Sequence, residues 1–141
     1  MSLDETVEMA TLFLRQRASL HRVTNLQEMC RVLGEQLALN GRRESAEPMD
    51  RRQVARAVDH IAQNTEDGLA LTSLCQHFWD TDPYTAWVQR ATHMGHEFTD
   101  SAQVREFHRA QMEEAYAAHE NYSTVPDTPE SLTQAPADPF S

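Results

Sequence analysis

Apolar residues recur every three or four positions through most of the first 120 residues, which is the spacing of one face of an α-helix. No six-residue window alternates apolar and polar residues as a half-buried strand does. The sequence therefore predicts an all-α fold, a compact bundle of five to six helices that forms one domain over residues 1–120. The predicted helices begin near Ser2, Thr24, Pro48, Leu71, Pro83 and either Thr99 or Asp100.

Residues that start and stop helices separate these apolar stretches. Ser2 and Glu5 have the spacing of a capping box at the start of the first helix. Asn40 and Gly41 end the second helix, because glycine readily adopts the left-handed conformation that follows many helices. Gly95 ends the fifth helix in the same way. The charged segment after Gly41 has no apolar period and is predicted to be a loop.

From residue 121 onward the composition changes. The segment 121–141 contains four prolines and three acidic residues but no basic residue, and it has no periodic apolar face. Such a segment cannot bury enough surface to offset the entropy that is lost on ordering. We therefore predict a disordered acidic tail over residues 121–141. Its sequence Asp-Pro-Phe, which ends at Phe140, is a candidate short linear motif.

All 12 basic residues are arginine, and the formal net charge is −10. Without lysine the chain cannot form a Schiff base on a side-chain amine or place a P-loop lysine on a phosphate. An acidic surface disfavours binding along a phosphate backbone, so we expect no nucleic-acid partner. The same charge favours a protein partner with a basic surface. The candidates for a local basic strip are Arg42, Arg43, Arg51, Arg52 and Arg56.

The chain has no sequence signal for membrane insertion or export. No apolar run approaches the 18 residues that indicate a membrane-spanning helix, and the acidic first residues lack the basic start of a signal peptide. Cys30 and Cys75 each fall within an apolar helical pattern, where cysteine behaves as a small buried hydrophobe. We expect a cytoplasmic protein with reduced thiols and no cofactor.

The histidines give the strongest hints of chemistry, and none of them completes a site. His93 and His96 are spaced to share a metal ion on one helical face, with Glu97 beside them, but Gly95 interrupts that helix. Arg90 and His96 have a spacing seen in small all-α nucleases of the HEPN type, although the residue after the arginine is not polar here. No Gly-x-Ser-x-Gly motif or glycine-rich phosphate loop occurs. We therefore predict that the protein is not an enzyme.

A helix-turn-helix is the main alternative to a protein-binding function. The stretch from Arg56 to Gly95 has a helix, a short helix, a turn and another helix of suitable lengths. The pattern over residues 71–78 resembles the first DNA-reading helix of an AraC-type domain, which implies a transcriptional regulator. Trp79 and Asp80 depart from the turn of that family. The residues of the reading helix would be Tyr84, Thr85 and Arg90.

By elimination, the sequence favours a non-catalytic adaptor, regulator or inhibitor that binds another protein through a helical face. The candidate contact residues are aromatic and arginine side chains, which are favoured at the centres of interfaces: Phe78, Trp79, Tyr84, Arg51, Arg52 and Arg56. The less regular apolar stripe of the sixth helix is a candidate homodimer interface. Two alternatives remain open, the helix-turn-helix regulator and an acidic protein that occupies a nucleic-acid-binding groove of its partner.

Overall fold

Six α-helices account for most of the chain that the computed structural model describes, which is residues 2–76 and 85–120. A two-residue strand, β1 (Thr24–Asn25), pairs in parallel with a second, β2 (Cys75–Gln76). The predicted all-α class is confirmed. The six helices are α1 (Leu3–Ser19), α2 (Leu26–Leu39), α3 (Arg51–Asn64), α4 (Gly68–Thr72), α5 (Thr85–His93) and α6 (Ser101–Ala118).

Four helices begin at a side chain that accepts a hydrogen bond from a backbone N–H of the first turn, an arrangement that stabilises a helix by about 1 kcal/mol. The predicted start of the first helix at Ser2 is confirmed, and Asn25 replaces the predicted Thr24 at the second. The third helix begins later than predicted, at Arg51 rather than Pro48. The four capping residues are Ser2, Asn25, Asp50 and Asp100.

The predicted glycine stops at the ends of α2 and α5 are confirmed. Gly41 has a φ of 72° and Gly95 a φ of 100°, both in the left-handed region that side chains with a Cβ rarely adopt. His21, just after α1, also has a positive φ, 54°. Its ring stacks on that of Tyr116 in α6 with centroids 4.6 Å apart, so the turn after α1 is packed against the last turns of α6.

The main core lies among α1, α2 and α3, with α4 and the second half of α6 packed against them. A smaller apolar cluster joins Leu69 of α4, Trp87 of α5 and Phe107 of α6, and the Trp87 indole donates a hydrogen bond to the Leu69 carbonyl oxygen at 2.8 Å. The largest side chains buried in the main core are Phe13, Leu14, Met29, Leu33, Ile61, Leu71 and Leu74.

The fourth helix differs from its prediction. We expected a helix that carries Leu71, Leu74, Cys75 and Phe78 on one face, but α4 ends at Thr72. The Leu74 carbonyl oxygen instead accepts a hydrogen bond from the Thr24 backbone N–H at 2.8 Å, and Cys75 enters β2. Leu71, Leu74 and Cys75 are all fully buried. The apolar spacing therefore identified core residues correctly, but they lie in α4, a turn and β2 rather than on one helical face. Phe78 lies outside the described residues.

The apolar stripe of α6 is committed to contacts within the chain. Ala115 is part of the main core, and Met112 and Tyr116 pack against it. Phe107 instead packs in the smaller cluster, with its ring centroid 5.7 Å from that of Trp87. The stripe is irregular because it packs against two clusters, and the homodimer interface stays a prediction.

None of the helices in the described part of the chain is both long enough and apolar enough to cross a membrane. The predicted acidic tail, residues 121–141, lies outside the described residues.

Candidate binding surface

A surface groove of about 500 Å³ lies where the first two turns of α2 face the segment that enters α3. Its floor is apolar and its rim carries amide and arginine side chains. Residues of β1, of α2 and of the segment before α3 contribute to it. Those that the binding argument uses are Asn25, Gln27, Cys30, Arg31, Met49 and Arg51.

One wall of the groove is the segment before α3, which is held directly against α2. The Met49 backbone N–H donates to the Cys30 carbonyl oxygen at 2.9 Å. Gly34 permits the close approach, since a Cβ at this position would lie 2.1 Å from the Glu47 carbonyl oxygen. The Arg43 guanidinium donates to that same oxygen at 2.9 Å. Backbone groups therefore position the wall.

The floor of the groove is formed by Met49 and Cys30, each only 6% exposed. Burial raises the pKa of the Cys30 thiol, and the positive charge of Arg51 opposes that shift. In β2, burial and the neighbouring Cys30 raise the pKa of the Cys75 thiol to about 12. Both thiols are therefore protonated near neutral pH and are not activated nucleophiles. The prediction of two buried thiols is confirmed.

One arginine of α3 lies at the rim of the groove and two more follow it along the helix. Arg51, Arg52 and Arg56 are exposed on the first half of α3, and none of the three forms an ion pair with a described residue. On the α2 side, Arg31 pairs with Glu35 at 3.2 Å, but both side chains are about half exposed. Such a pair contributes only a few tenths of a kcal/mol, about 0.3–0.5, so a partner can displace it.

The acidic residues beside this rim are already engaged. Glu28 lines the groove, but its carboxylate accepts a hydrogen bond from the Thr24 hydroxyl at 2.7 Å and lies 3.4 Å from the Arg17 guanidinium. Asp50 accepts from the backbone N–H of Arg52 at 2.7 Å as the cap of α3. The Glu28 carboxylate is thus held by contacts within the fold, whereas Asp50 is exposed and its charge acts on the Cys30 thiol at the groove floor.

The first turn of α3 differs in charge from the first turns of α1 and α2, although the capping carboxylate of Asp50 lies directly before it. The first turn of α1 contains Asp4 and Glu5, and that of α2 contains Glu28. The first turn of α3 has no acidic residue and begins with Arg51 and Arg52. A helix N-terminus is electropositive, so a cation there costs about 0.3–1 kcal/mol where an anion would stabilise. The two arginines lie at positions that local helix stability disfavours.

The basic strip predicted from the sequence is narrower in the structure. Arg42 forms an ion pair with Glu5 of α1, and Arg43 is bound to the Glu47 carbonyl oxygen. Both arginines have partners within the chain, although Arg42 is about half exposed. The α3 arginines are the part of the strip that forms no ion pair with a described residue.

Three predicted contact residues, Phe78, Trp79 and Tyr84, lie outside the described residues. The chain leaves the first described part at Gln76, whose partner in the parallel pairing is Asn25, at one end of the groove.

Sequence analysis did not identify the groove itself. Its floor and one wall depend on the contact between Met49 and Cys30, which are far apart in sequence. The available signal was Gly34, an isolated glycine in the middle of the α2 pattern, which often marks a close approach of another backbone. Arg31 gave no signal, because one arginine on the polar face of a helix is ordinary.

Some of the histidines and arginines weighed for catalysis make contacts within the fold. The His96 ring packs on Phe107 with centroids 4.5 Å apart, and Nε2 of the buried His108 lies 2.7 Å from the Ser73 carbonyl oxygen. Arg90 donates through Nε and Nη2 to the Asp59 carboxylate at 3.0 and 2.9 Å. Among the residues that the structure describes, no three His, Cys, Asp or Glu side chains are grouped to hold a metal ion.

No protein-family model matches this chain, and comparisons with curated proteins and with solved structures give no match either. The function must therefore follow from the residues of the chain itself.

Proposed function

We propose that this protein is a non-catalytic binding module, an adaptor, regulator or inhibitor that engages another protein through the groove between α2 and the start of α3. The observation that carries the proposal is the pair Arg51 and Arg52 in the first turn of α3, without an acidic neighbour in that turn. A cation in the first turn costs some stability, part of which the capping carboxylate of Asp50 offsets. We take an interaction outside the fold as the reason for this placement.

The chemistry of the groove supports the same function. Interfaces typically have an apolar centre surrounded by polar side chains, and arginine is enriched among residues that dominate binding. Met49 and Cys30 supply such a centre, and Arg31 and Arg51 flank it. The volume of about 500 Å³ is suited to one or two side chains of a partner segment rather than to a flat protein surface.

The partner segment that fits this surface carries carboxylates beside an apolar side chain. The net charge of −10 led to the expectation of a partner with a basic surface, and other faces of the protein remain suited to one. At the groove, arginine forks bind carboxylates in pairs of parallel hydrogen bonds. The two free thiols fit a reducing compartment such as the cytoplasm.

The two alternatives have less support. In the helix-turn-helix hypothesis Arg90 would read DNA, but its guanidinium is bound to Asp59 of α3, and α4 stops before the predicted first helix is complete. The acidic protein that occupies a partner's nucleic-acid-binding groove draws on the net charge and on exposed carboxylates of α6, such as Glu113 and Glu114.

The test is capture of a partner by the tagged full chain, by an Arg51→Glu/Arg52→Glu variant and by a charge-matched control, Arg105→Glu/Arg109→Glu, on the exposed face of α6. Each capture is repeated after nuclease treatment. We expect a stoichiometric protein that survives nuclease, binds the native chain and the α6 control, and is reduced at least about tenfold with the α3 variant, the loss expected for about 1.4 kcal/mol.

Two results would overturn the proposal. One is a protein partner that binds all three forms equally, which would place the interface elsewhere. The other is recovery of nucleic acid alone, or of a partner that is lost after nuclease treatment, which would favour the DNA-binding alternative.

A further inference from the structure

A second cavity, of about 80 Å³, lies between α3, α4 and α5. Its apolar lining comes from short side chains of α3 and from the indole of Trp87 in α5. The indole is held in place because its N–H donates to the Leu69 carbonyl oxygen at 2.8 Å. The apolar lining residues of α3 are Ala55, Val58 and Ala62.

The polar side chains of this lining lie at one end of the cavity. The Thr72 hydroxyl donates to the Gly68 carbonyl oxygen at 2.6 Å, so its hydrogen is used within α4. The other two polar side chains, those of Asp59 and Arg90, form an ion pair. Both are partly exposed, whereas Trp87 is buried. The ion pair therefore marks the end of the cavity that faces solvent.

The ion pair leaves a donor, rather than an acceptor, for a bound molecule. The Asp59 carboxylate accepts from Nε and Nη2 of Arg90 at 2.9–3.0 Å and from Nε2 of Gln63 at 2.9 Å. These contacts use the roughly four acceptor positions of a carboxylate. Nη1 of Arg90 has no hydrogen-bond partner among the described residues. A molecule that binds here therefore needs an acceptor, such as a carbonyl oxygen.

The charges at this end of the cavity favour a neutral molecule. The positive charge of Arg90 is already matched by Asp59 at 2.9 Å, so a bound carboxylate would meet the negative charge of Asp59 and a bound amine that of Arg90. Like charges in contact disfavour each other. Arg56, one turn before Asp59, is exposed and lies outside the cavity lining.

The volume limits the apolar part of the molecule. An apolar cavity of about 150 Å³ accommodates benzene, which has six carbon atoms. By proportion, about 80 Å³ accommodates about three carbon atoms, the size of an isopropyl group.

We infer that this cavity is a binding site for a small neutral molecule in which a short branched aliphatic group is joined to a carbonyl group. The aliphatic group packs against Trp87 and the short α3 side chains, and the carbonyl oxygen accepts from Nη1 of Arg90. The site shares no lining residue with the groove between α2 and α3 among those described, so the inference does not rest on the proposed function.

The experiment is a titration of the full chain with 2-methylpropanamide, which combines an isopropyl group with a neutral carbonyl. The reporter is the indole N–H signal of Trp87 in a ¹⁵N–¹H spectrum, and a Trp79→Phe variant distinguishes it from the second indole. We expect a saturable shift with a Kd of about 1–10 mM, within the range for so small a molecule.

Two related compounds test the apolar and the neutral part separately. Acetamide lacks two of the carbon atoms that the cavity accommodates, so it should bind about 10-fold more weakly. The anion 2-methylpropanoate should bind the native chain at least about 5-fold more weakly than the amide. In an Asp59→Asn variant the charge of Arg90 is no longer matched, and the anion should bind at least as tightly as the amide.

A variant that fills the cavity tests its location. Ala55→Leu adds three carbon atoms to the α3 side of the lining and should abolish the shift, while the urea midpoint stays the same or rises, as cavity filling predicts. The matched control is Ala110→Leu at an exposed position of α6, which should bind the amide like the native chain. Ala62→Leu fills the same cavity and replaces the first variant if that one does not fold.

Three results would overturn the inference. The first is the absence of a saturable shift up to about 100 mM amide. The second is equal affinity of the native chain for the amide and either related compound. The third is a folded filling variant that binds the amide with native affinity.

Discussion

The backbone N–H of Met49 donates to the carbonyl oxygen of Cys30 at 2.9 Å. This bond joins the segment before α3 to the second turn of α2, and it creates both a wall and a floor for the groove. Since the contact is made by backbone atoms, the position of Arg51, two residues after Met49, follows from it. The basic rim is therefore placed by the fold rather than by a mobile loop.

Replacement of Gly34 should disrupt this contact. In a Gly34→Ala variant the new Cβ would lie 2.1 Å from the Glu47 carbonyl oxygen, which forces the segment away from α2. We expect a loss of about 1–3 kcal/mol in the free energy of unfolding, measured by urea titration. Helix propensity alone predicts a gain of about 0.5–1 kcal/mol for this change. An observed gain would mean that the segment does not press on α2.

Truncation of two leucines should cost very different amounts of stability. Leu71 is fully buried in the main core, whereas Leu39 is 79% exposed at the end of α2. We expect Leu71→Ala to lower the free energy of unfolding by about 2–5 kcal/mol, because it leaves a cavity. Leu39→Ala should stay within about 0.5 kcal/mol of the native chain. Similar losses for both variants would contradict the assignment of the core.

The ion pair between Asp59 and Arg90 should couple α3 to α5. Arg90 donates to both oxygens of the Asp59 carboxylate. The Asp59 side chain is 40% exposed and that of Arg90 is 24% exposed. Solvent screens a pair of this exposure, so we expect a coupling of about 0.5–1 kcal/mol. The measurement is a double-mutant cycle of Asp59→Asn and Arg90→Gln by urea unfolding. Additive effects of the two changes would show that the pair contributes nothing.

Alkaline pH should destabilise the fold through Cys75. Burial raises its pKa from 9.0 to about 12, so above pH 9 the unfolded chain releases this proton while the folded chain retains it. Stability contributed by the protonated thiol is complete below pH 9 and is lost as the pH rises towards 12, at up to about 1.4 kcal/mol per pH unit. Urea midpoints at pH 8, 9 and 10 provide the measurement. In a Cys75→Ala variant this part of the pH dependence should disappear, and an unchanged slope would rule out the thiol as its source.

The features of the fold that were predicted correctly depend on neighbours in sequence. Ser2 caps the first helix through a residue three positions away, and Gly41 and Gly95 end helices by their own backbone conformation. A single sequence displays such relationships directly, because the partner lies within one turn of the helix. The all-α class and the ends of these helices followed from them.

The features that were missed depend on contacts between distant parts of the chain. Cys75 fits a helical face as well as it fits a buried strand, and only its pairing with Thr24 decides between them. Likewise, the apolar face of α2 was apparent, but the segment that covers Gly34 was not. The α3 arginines were found for their residue type, whereas the significance of their position depends on where the helix begins, at Arg51 instead of Pro48.

Replacement of the two arginines at the start of α3 should stabilise the fold while it weakens partner binding. Arg51→Glu and Arg52→Glu place anions at an electropositive helix terminus, where they replace cations, and neither arginine has an ion pair with a described residue to lose. We expect the free energy of unfolding to rise by about 0.5–2 kcal/mol for the double variant. The gain should shrink at 1 M salt, since salt screens charges at the surface.

The matched control for this prediction is Arg105→Glu/Arg109→Glu, which makes the same change of charge on α6, beyond the first turn of that helix. It should leave the stability within about 0.5 kcal/mol of the native value and leave partner binding intact. A less stable α3 variant would mean that Arg51 and Arg52 support the fold through contacts of their own. Their unfavourable position would then have a structural cause, and the argument for a binding surface at the start of α3 would lose its basis.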